Sequence, residues 1–467
     1  MKNFALKTQH KKILADTLTP VSVYLRLRDV FPHSLLLESS DYHANNNDFS
    51  YICCNPIASI ELKKGLLTTS LPDGSIETIT VDESIDIPEK IQTFSQRFNS
   101  KSFPFKFISN GLFGYIAHDA VDQFENIKLD KNKEGLEIPD IYYAVYQNII
   151  AISLFNHEAH LFSHVYQKEH NLHEIERLLK VSPSANFNFK KTGDKKSNLT
   201  DEQFINFVQK GKEHCYRGDV FQLVLSRRFS QTFKGDEFNV YRTLRSINPS
   251  PYLFFFDYGD FKIFGSSPEA QLVVQDGKAE IHPIAGTFKR TGNDQQDATA
   301  AKALAKDPKE NSEHVMLVDL ARNDLSRNGS GVVVEKNREI QFYSHVIHLV
   351  SKVTCTMKAV AKTFRVVADT FPAGTLSGAP KHKALQLIDR YETTQRNFYG
   401  GAIGYMDFEG NFNHAIIIRS FLSKNHELHY QAGAGIVADS VPESELQEVY
   451  NKLGALDKAL TLAENIQ

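Results

Sequence analysis

Four glutamates come in two pairs three residues apart, a spacing that could place a cation. Glu310 and Glu313 lie in a helix candidate at 310–322, and Glu445 and Glu448 lie in another that begins at 443. Residues three apart share one helix face, so each pair forms a doubly acidic patch. Taken singly, each pair is more often solvent-facing than a metal ligand.

The surroundings of these pairs favour Mg²⁺ over zinc, because oxygen donors stand there without a cysteine or histidine cluster. Magnesium needs a ligand that carries an oxyanion. Donors for such a ligand are Arg419 after the apolar run 415–418, Lys452, and the glycine-rich stretch 431–435. Glycine turns of this kind bind carboxylates or phosphates through backbone N–H groups. A GxxxxGK[ST] motif does not occur, so nucleotide phosphate is not the expected anion.

The stretch 261–288 carries a carboxylate at one tip and a glycine-threonine pair at another. Glu269 follows a proline, which restricts its backbone, and Gly286 precedes Thr287. Glycine lets backbone N–H groups and the Thr287 hydroxyl approach an anion closely. Antiparallel strands with ordinary turns explain these residues equally well.

Three further polar residues lie in or beside apolar segments. His348 lies on the apolar face of a strand candidate at 344–350, where a histidine is usually a packed, hydrogen-bonded core residue. In a functional role it would suit proton transfer near neutral pH. Thr375 closes the turn 371–375, and Tyr399 stands before two glycines.

The elements that position these residues are strands and capped helices. Strands are predicted at 34–40, at 51–60 with Pro56 at an edge or a bulge, and at 141–154. A capping-box signature at 200–203 starts a helix that runs to about Arg217. In the strand predicted after this helix, alternation places Gln222 on the opposite face from Phe221 and Leu223. The polar stretch 190–198 reads as a linker between a front portion and a larger back portion.

Bulk composition excludes several classes of protein. The 467 residues carry a net charge of −3, with 41% hydrophobic and 23% charged residues, so a nucleic-acid partner is not expected. Neither an apolar segment of signal-peptide length nor a run of 18 apolar residues occurs, which predicts a cytoplasmic protein without a membrane partner. The four cysteines fit neither a disulfide framework nor a zinc site.

Seven motifs in order resemble the chorismate-utilising enzymes, and within them the anthranilate synthase component I family. They are VFQLVLSRR, GSSPEA, PIAGT, SEHVMLVDLARND, FPAGTLSGAPK, FYGGAIGY and QAGAGIVADS. Coverage is dense over 200–455, the expected chorismate-binding catalytic region. The range 15–155 resembles the family's N-terminal region, with elements of a regulatory tryptophan site, through LLLESS, NPIAS and GLFGYIAHDAV.

Two positions discriminate among the chorismate-utilising enzymes. Relatives that form isochorismate or salicylate carry a water-activating lysine where Gln222 stands, and an amide cannot act as that base. Aminodeoxychorismate synthases that attack through an enzyme amine carry PIKGT where this chain has Ala285, whose methyl group cannot form the adduct. Ammonia needs neither lysine, so the resemblance favours an amino-lyase that forms anthranilate.

The resemblance also implies the roles of individual residues. Glu269 and His348 would be the acid and base, with Thr375 among the catalytic residues, while ammonia adds at ring C2, the C4 hydroxyl leaves and pyruvate is eliminated. Mg²⁺ would be held by Glu313 and Glu448, with Glu310 and Glu445 in the outer shell. Chorismate would be bound by Gly286, Thr287, Tyr399, Arg419, Gly433, Ala434, Gly435 and Lys452.

Partners and a regulator are implied as well. A Gly-x-Cys-x-Gly nucleophile turn does not occur, so glutamine use would require a separate amidotransferase subunit and a hetero-oligomer. Feedback inhibition by tryptophan would involve Ser39, Pro251, Tyr252 and Leu253. The implied fold is α+β, with large antiparallel sheets packed on each other, flanked by helices, and the active site between the sheets. Aminodeoxychorismate synthase component I and a non-catalytic tryptophan-sensing or scaffolding subunit are the alternatives.

Overall fold

Long strands form where apolar and aromatic residues fill both faces of a segment. The segment Ile141–Ser153, IYYAVYQNIIAIS, is buried along nearly its whole length. It pairs with another long strand, Ser50–Lys63, at the centre of the fold. The structure, a computed structural model, describes residues 2–39, 49–181, 187–342, 346–358 and 362–466. For residues 285, 287, 289, 309 and 346 it describes the backbone alone.

The strands in chain order are β1 (Phe4–Leu14), β2 (Leu35–Glu38), β3 (Ser50–Lys63), β4 (Leu66–Ser70), β5 (Ile76–Thr80), β6 (Phe98–Ser100), β7 (Leu112–Ile116), β8 (Ile141–Ser153), β9 (Glu158–Val165), β10 (Lys190–Ser197), β11 (Gln222–Lys234), β12 (Tyr252–Asp257), β13 (Phe261–Ser267), β14 (Ala270–Gln275), β15 (Lys278–Ile281), β16 (Ile284–Lys289), β17 (Gly329–Phe342), β18 (Val346–Met357), β19 (Gly378–Ala379), β20 (Ala402–Met406), β21 (Phe412–Ile416), β22 (Ser420–Lys424) and β23 (Glu427–Ile436).

The helices are α1 (Pro20–Leu27), α2 (Ile87–Gln96), α3 (Leu172–Lys180), α4 (Asp201–Tyr216), α5 (Phe238–Ile247), α6 (Asp294–Lys306), α7 (Pro308–Ser326), α8 (Thr363–Thr370), α9 (Gly374–Ser377), α10 (Lys381–Tyr391) and α11 (Pro442–Ala463), with a 3₁₀ helix at His118–Gln123. The predicted capping box is confirmed, because the Thr200 hydroxyl accepts from the Gln203 N–H and the Gln203 side chain accepts from the Thr200 N–H.

Two antiparallel sheets share the long strands β3 and β8. One sheet runs β10, β11, β23, β22, β13, β12, β2, β3, β8, β9, β1. The other leaves β8 through β7, β20, β21, β14 and β15 to β18, which also pairs with β16 and β17. The register of β3 against β8 shifts between Pro56 and Ala58, so Pro56 stands at a bulge, one of the two places predicted for it.

The sheets pack face to face through aromatic side chains. The ring of Tyr115 on β7 lies 5.3 Å from the ring of Tyr258 and 6.1 Å from that of Phe261 on β13. Phe254 and Ile403 belong to the same buried cluster, which fills the space between the sheets. A larger apolar cluster lies under the helices. The predicted α+β architecture of packed antiparallel sheets flanked by helices is thus the observed one.

The predicted linker at 190–198 is wrong. Residues Lys190–Ser197 form the strand β10, which pairs with β11. Lysines on a strand that pairs on one side remain solvated, and Lys191 and Lys195 reach Glu464 and Asp457 on or beside α11. The charged composition of this stretch therefore predicted a linker where the chain forms a strand.

Strand pairings join the front and back ranges of the chain. β2 pairs with β12, and β7 pairs with β20. Residues that follow these strands are consequently brought near one another despite their distance in sequence. Within the described ranges, no helix is both long and apolar enough to cross a membrane.

Candidate active site

Glu269 occupies the connection between β13 and β14, and its side chain points into the protein. Only 9% of the residue is exposed, and the Thr375 hydroxyl donates to its Oε1 over 3.1 Å. Burial raises the pKa of Glu269 to about 8, although Thr375, Lys452 and Arg419 act in the opposite direction. The carboxyl group is therefore largely protonated at neutral pH and can act as a proton donor.

Thr375 lies in α9, a four-residue helix, where the sequence predicted a turn. Three residues further, Gly378 has a φ of 127°, and a Cβ added there would lie 2.2 Å from the Gln222 carbonyl oxygen. A side chain at Gly378 would push the segment away from β11. This close approach brings Thr375 to Glu269.

His348 lies in β18 opposite the backbone of Thr287, whose side chain is outside the described part of the chain. The distance between His348 Nδ1 and the Gly286 carbonyl oxygen is 3.0 Å. Since a carbonyl only accepts, Nδ1 carries the hydrogen in this bond. Burial lowers the pKa of His348, which favours the neutral imidazole.

Gly286 forms a bulge in β16, with a φ of 73°. A Cβ at this position would lie 2.8 Å from Leu304 Cδ1 and 3.1 Å from Glu310 Oε2. The missing side chain therefore admits the Glu310 carboxylate beside the strand. The structure thus joins the predicted glycine-threonine site to the first acidic pair.

Two cationic groups, Arg419 and Lys452, interact electrostatically with Glu269. Arg419 connects β21 to β22 with a φ of 50°, a left-handed conformation uncommon for arginine. Burial lowers its pKa, and it interacts electrostatically with Tyr399, Glu448 and Glu269. The Lys452 ammonium donates to the Gly433 carbonyl over 2.8 Å and pairs with Glu448 at 2.5 Å. These charges suit a ligand that carries carboxylates.

The glycine-rich stretch 431–435 is a strand rather than the predicted turn, because β23 pairs with β11 throughout this range. Its glycines serve close packing. A Cβ at Gly433 would lie 2.7 Å from the Leu225 carbonyl oxygen, and one at Gly435 would lie 2.7 Å from Gln222 Nε2. Ala434, between them, is fully buried.

Tyr399 and Gln222 both lie against this strand. The Tyr399 hydroxyl accepts a hydrogen bond from the Gly433 backbone, and burial raises its pKa to about 12. Gln222 is buried, and its Oε1 has no hydrogen-bond partner within the described residues. The Gln222 amide therefore lies against Gly435, with its oxygen unpartnered among these residues.

The two acidic pairs lie on α7 and α11 as predicted. Glu310 reaches Gly286, Glu445 is buried, and Glu448 pairs with Lys452. Their oxygen donors match the chemistry of Mg²⁺. In the described portion of the chain, however, no three His, Cys, Asp or Glu side chains are grouped closely enough to hold a metal, so the Mg²⁺ set of Glu313 and Glu448 stays a prediction.

The residues predicted to bind tryptophan lie at the pairing of β2 with β12. Leu253 is opposite Glu38. Ser39 directly follows Glu38, and Pro251 and Tyr252 directly precede Leu253, so all of them adjoin this pair. These four residues are therefore brought together from distant parts of the chain, and their regulatory role stays a prediction.

Sequence reasoning missed the neighbour of that group, Glu38. Its carboxylate accepts from Arg245 Nε at 2.8 Å, from Arg245 Nη2 at 2.9 Å and from the Tyr241 hydroxyl at 2.6 Å. The available signal was a glutamate at the end of an apolar strand, which requires a partner.

A second missed feature is a buried ion pair between Glu392 and Arg396, with 2.6 Å between Oε1 and Nη2. The only sign of this ion pair in the sequence is the spacing of four residues between the glutamate and the arginine.

The chain belongs to the chorismate binding enzyme family, whose model matches residues 33–458. It is 36% identical to anthranilate synthase component 1 of Aquifex aeolicus over 100% of this chain and 97% of that protein. It is 37% identical to anthranilate synthase component 1 of Lactococcus lactis, with 96% and 98% covered.

Solved structures agree. Anthranilate synthase component I from Streptococcus pneumoniae matches with a TM-score of 0.75 at 30% identity, covering 95% of this chain and 98% of that one. A menaquinone-specific isochorismate synthase from Escherichia coli matches with the same TM-score, 0.75, at 16% identity, covering 98% and 95%, which shows a shared fold.

Proposed function

We propose that the chain is an anthranilate synthase component I, which converts chorismate and ammonia to anthranilate and pyruvate as the first step of tryptophan biosynthesis. The observation that carries the proposal is a buried Glu269 with a pKa of about 8 near Arg419 and Lys452. Such a group donates a proton to a poor leaving group beside a bound dianion. The names of the relatives support the same activity.

Substrate binding follows from the charges and backbone donors of the site. Arg419 and Lys452 attract the carboxylates of chorismate, while Gly286, Thr287, Tyr399 and the strand 433–435 shape the pocket around it. Because Arg419 is only partly exposed, its attraction for a carboxylate is screened less by water than that of a fully exposed arginine. The ring is thereby held with its C4 hydroxyl toward Glu269.

Proton transfer assigns different roles to the two titratable residues. Glu269 donates its proton to the C4 hydroxyl oxygen, the C4–O bond breaks, and water leaves as ammonia bonds to C2. The ammonium nitrogen then releases a proton. Loss of the C2 proton with elimination of pyruvate restores aromaticity. His348 is neutral and donates from Nδ1 to Gly286, so it suits a proton acceptor or an orienting group better than the first donor.

Mg²⁺ would be held by Glu313 and Glu448, with Glu310 and Glu445 in its outer shell. When bound, the cation supplies positive charge to a substrate carboxylate. The position of Glu310 against Gly286 and the contact of Glu448 with Lys452 support this assignment, since both acidic pairs border the substrate residues.

Ammonia is the nucleophile best suited to Gln222. A neutral amide does not remove a proton from water, whereas ammonia attacks without prior deprotonation. Gln222 lies against Gly435, beside the substrate stretch. Ammonia would come from glutamine through a separate amidotransferase subunit in a hetero-oligomer, and tryptophan would inhibit through Ser39, Pro251, Tyr252 and Leu253.

The test is an assay of the purified chain with chorismate, ammonium and Mg²⁺, in which anthranilate is followed by fluorescence. Parallel reactions contain EDTA or tryptophan. We expect anthranilate formation that EDTA abolishes and tryptophan reduces. Accumulation of aminodeoxychorismate would identify the aminodeoxychorismate synthase alternative, and unchanged chorismate would favour a non-catalytic sensing or scaffolding subunit.

A further inference from the structure

The guanidinium of Arg396 is buried where three segments of the active site meet. The residue is 2% exposed and is among the largest fully buried side chains in the described ranges. It follows α10 and precedes Tyr399. Burying a cation is costly unless every donor finds an acceptor, so its contacts indicate what it holds.

Each end of the guanidinium has a different acceptor. Nη1 donates to the Leu376 carbonyl over 2.6 Å, and Nη2 donates to the Val224 carbonyl over 2.8 Å. Nε and Nη2 also donate to the Glu392 carboxylate, over 2.8 Å and 2.6 Å. Glu392 is itself fixed to β11, because it accepts from the Ser226 N–H at 2.8 Å and hydroxyl at 2.7 Å.

The segments so joined each carry a residue of the proposed site. Leu376 follows Thr375, which donates to Glu269. Val224 lies two residues after Gln222 in β11, so the two share a face of the strand. The guanidinium carbon also lies 5.7 Å from the centre of the Tyr399 ring. Arg396 thus binds the backbone one residue from Thr375 and two residues from Gln222, and its guanidinium lies near the ring of Tyr399.

Only arginine fits this place among the common residues. Two carbonyls and a carboxylate lie in different directions, and the planar guanidinium offers five donors in a fixed fork. A lysine ammonium offers three donors from one nitrogen, so it can keep Glu392 but cannot reach both carbonyls. The arrangement specifies geometry more than stability, since a buried ion pair contributes little net stability.

We propose that Arg396 is a positioning residue that holds Thr375 against Glu269 by fixing the Leu376 carbonyl to β11. This inference rests on the proposed function of Glu269 as the proton donor. Arg396 contacts none of the reacting atoms, and it acts through Thr375.

A measurable consequence follows from the Thr375 hydrogen bond, which acts to lower the pKa of Glu269. If Leu376 is released, the hydroxyl withdraws and the pKa of Glu269 rises further. Glu269 donates only when protonated, so activity is lost as pH rises through its pKa. The alkaline limb of kcat therefore moves to higher pH, while misaligned groups lower kcat itself.

The experiment compares Arg396→Lys with the wild-type chain in the ammonium-dependent assay across pH. We expect kcat to fall about tenfold, the KM for chorismate to change less than about threefold, and the alkaline limb to rise by about half a pH unit. The KM is spared because Arg419 and Lys452 lie on other segments. A merely structural role would reduce the folded fraction without moving the limb.

The matched control is Arg97→Lys. Arg97 is also a buried arginine that binds a carboxylate and a carbonyl: its Nη1 and Nη2 donate to Glu77 over 2.8 Å and 3.0 Å, and its Nε donates to the Lys2 carbonyl over 3.2 Å. None of these partners touches the segments that carry Thr375, Gln222 or Glu392. We expect this control variant to lower the melting temperature and leave the alkaline limb in place. If Arg396→Lys does not fold, Glu392→Gln replaces it, with a smaller shift in the same direction.

An unchanged limb in both Arg396→Lys and Glu392→Gln would overturn the inference, as would an equal shift in Arg97→Lys. Failure of the proposed function is separable, because the wild-type chain would then form no anthranilate from chorismate and ammonium.

Discussion

Two buried glutamates, Glu38 and Glu269, show how the same side chain serves two regions differently. They are 5% and 9% exposed. Glu38 accepts two hydrogen bonds from Arg245 and one from Tyr241. Glu269 accepts one from Thr375, and its pKa rises to about 8. A carboxylate that is fully paired becomes part of the framework, whereas one that is buried with little compensation becomes an acid.

The comparison also separates stability from function. The region of Glu38 joins β2 to β12 and α5 and fixes the place of Ser39 and Tyr252. The region of Glu269 retains a group that would be better solvated elsewhere. Proteins accept such a loss of stability at sites where the group is used. Each of the following predictions tests one side of this contrast.

The largest effect is expected from Glu269→Gln. The amide keeps the shape of the acid but has no proton to donate to the leaving hydroxyl, so kcat should fall about 10²- to 10⁴-fold. Steady-state rates of anthranilate formation measure this. Glu38→Gln is the matched control, and per folded molecule it should keep ammonium-dependent activity. Full turnover by Glu269→Gln would remove Glu269 from the role of acid.

Breaking the paired glutamate should cost stability rather than catalysis. Arg245→Met leaves the Glu38 carboxylate with Tyr241 alone, and we expect a loss of about 2–3 kcal/mol, less than for a fully buried pair because Arg245 is partly exposed. Urea unfolding measures the change. Tryptophan inhibition should weaken while uninhibited turnover persists. A variant as stable as the wild type would contradict the structural role given to Glu38.

Glu269→Gln should in turn stabilise the fold at alkaline pH. The pKa of Glu269 is about 8 in the folded chain against 4.5 for the ordinary group. Between these values the unfolded chain binds fewer protons, so wild-type stability falls as pH rises. The gain from glutamine is absent below pH about 4.5 and complete above about 8, at roughly 1–4 kcal/mol. Urea unfolding of both proteins at pH 4.5 and pH 8.5 tests this prediction. An equal difference in unfolding free energy between variant and wild type at the two pH values would contradict it.

The smallest effect is expected from Thr375→Val, which removes the hydroxyl and keeps a side chain of similar shape. Because that hydroxyl acts to lower the pKa of Glu269, the alkaline limb of kcat should move up by less than about one pH unit, with kcat reduced less than about tenfold. Thr243→Val, whose buried hydroxyl donates to the Asn239, Val240 and Ala459 carbonyls, is the control. A downward shift would show that Thr375 does not stabilise the ionised form.

Local signals predicted the parts of the fold that depend on local physics. The capping box at Thr200, the acidic faces of α7 and α11 and the strand at His348 follow from spacing within one element. The site as a whole was given by the resemblance, since periodicity does not place Thr375 beside Glu269 from 106 residues away.

The misses have a common cause in tertiary contacts. Lysine-rich residues 190–197 form a strand because β11 offers an open edge, and the glycines at 433 and 435 lie in a strand because β11 approaches closely. The pairing of Glu38 with Arg245 and the acceptors of Arg396 join residues that no pattern relates. Such contacts override composition and turn propensity.

The most direct test of the central claim is the protonation state of Glu269, measured by infrared difference spectroscopy of the wild-type chain minus Glu269→Gln between pH 5 and 10. The account predicts a protonated carboxyl C=O band that is present at pH 7 and lost with a midpoint near pH 8. A difference spectrum that shows an ionised carboxylate already at pH 6 would contradict it.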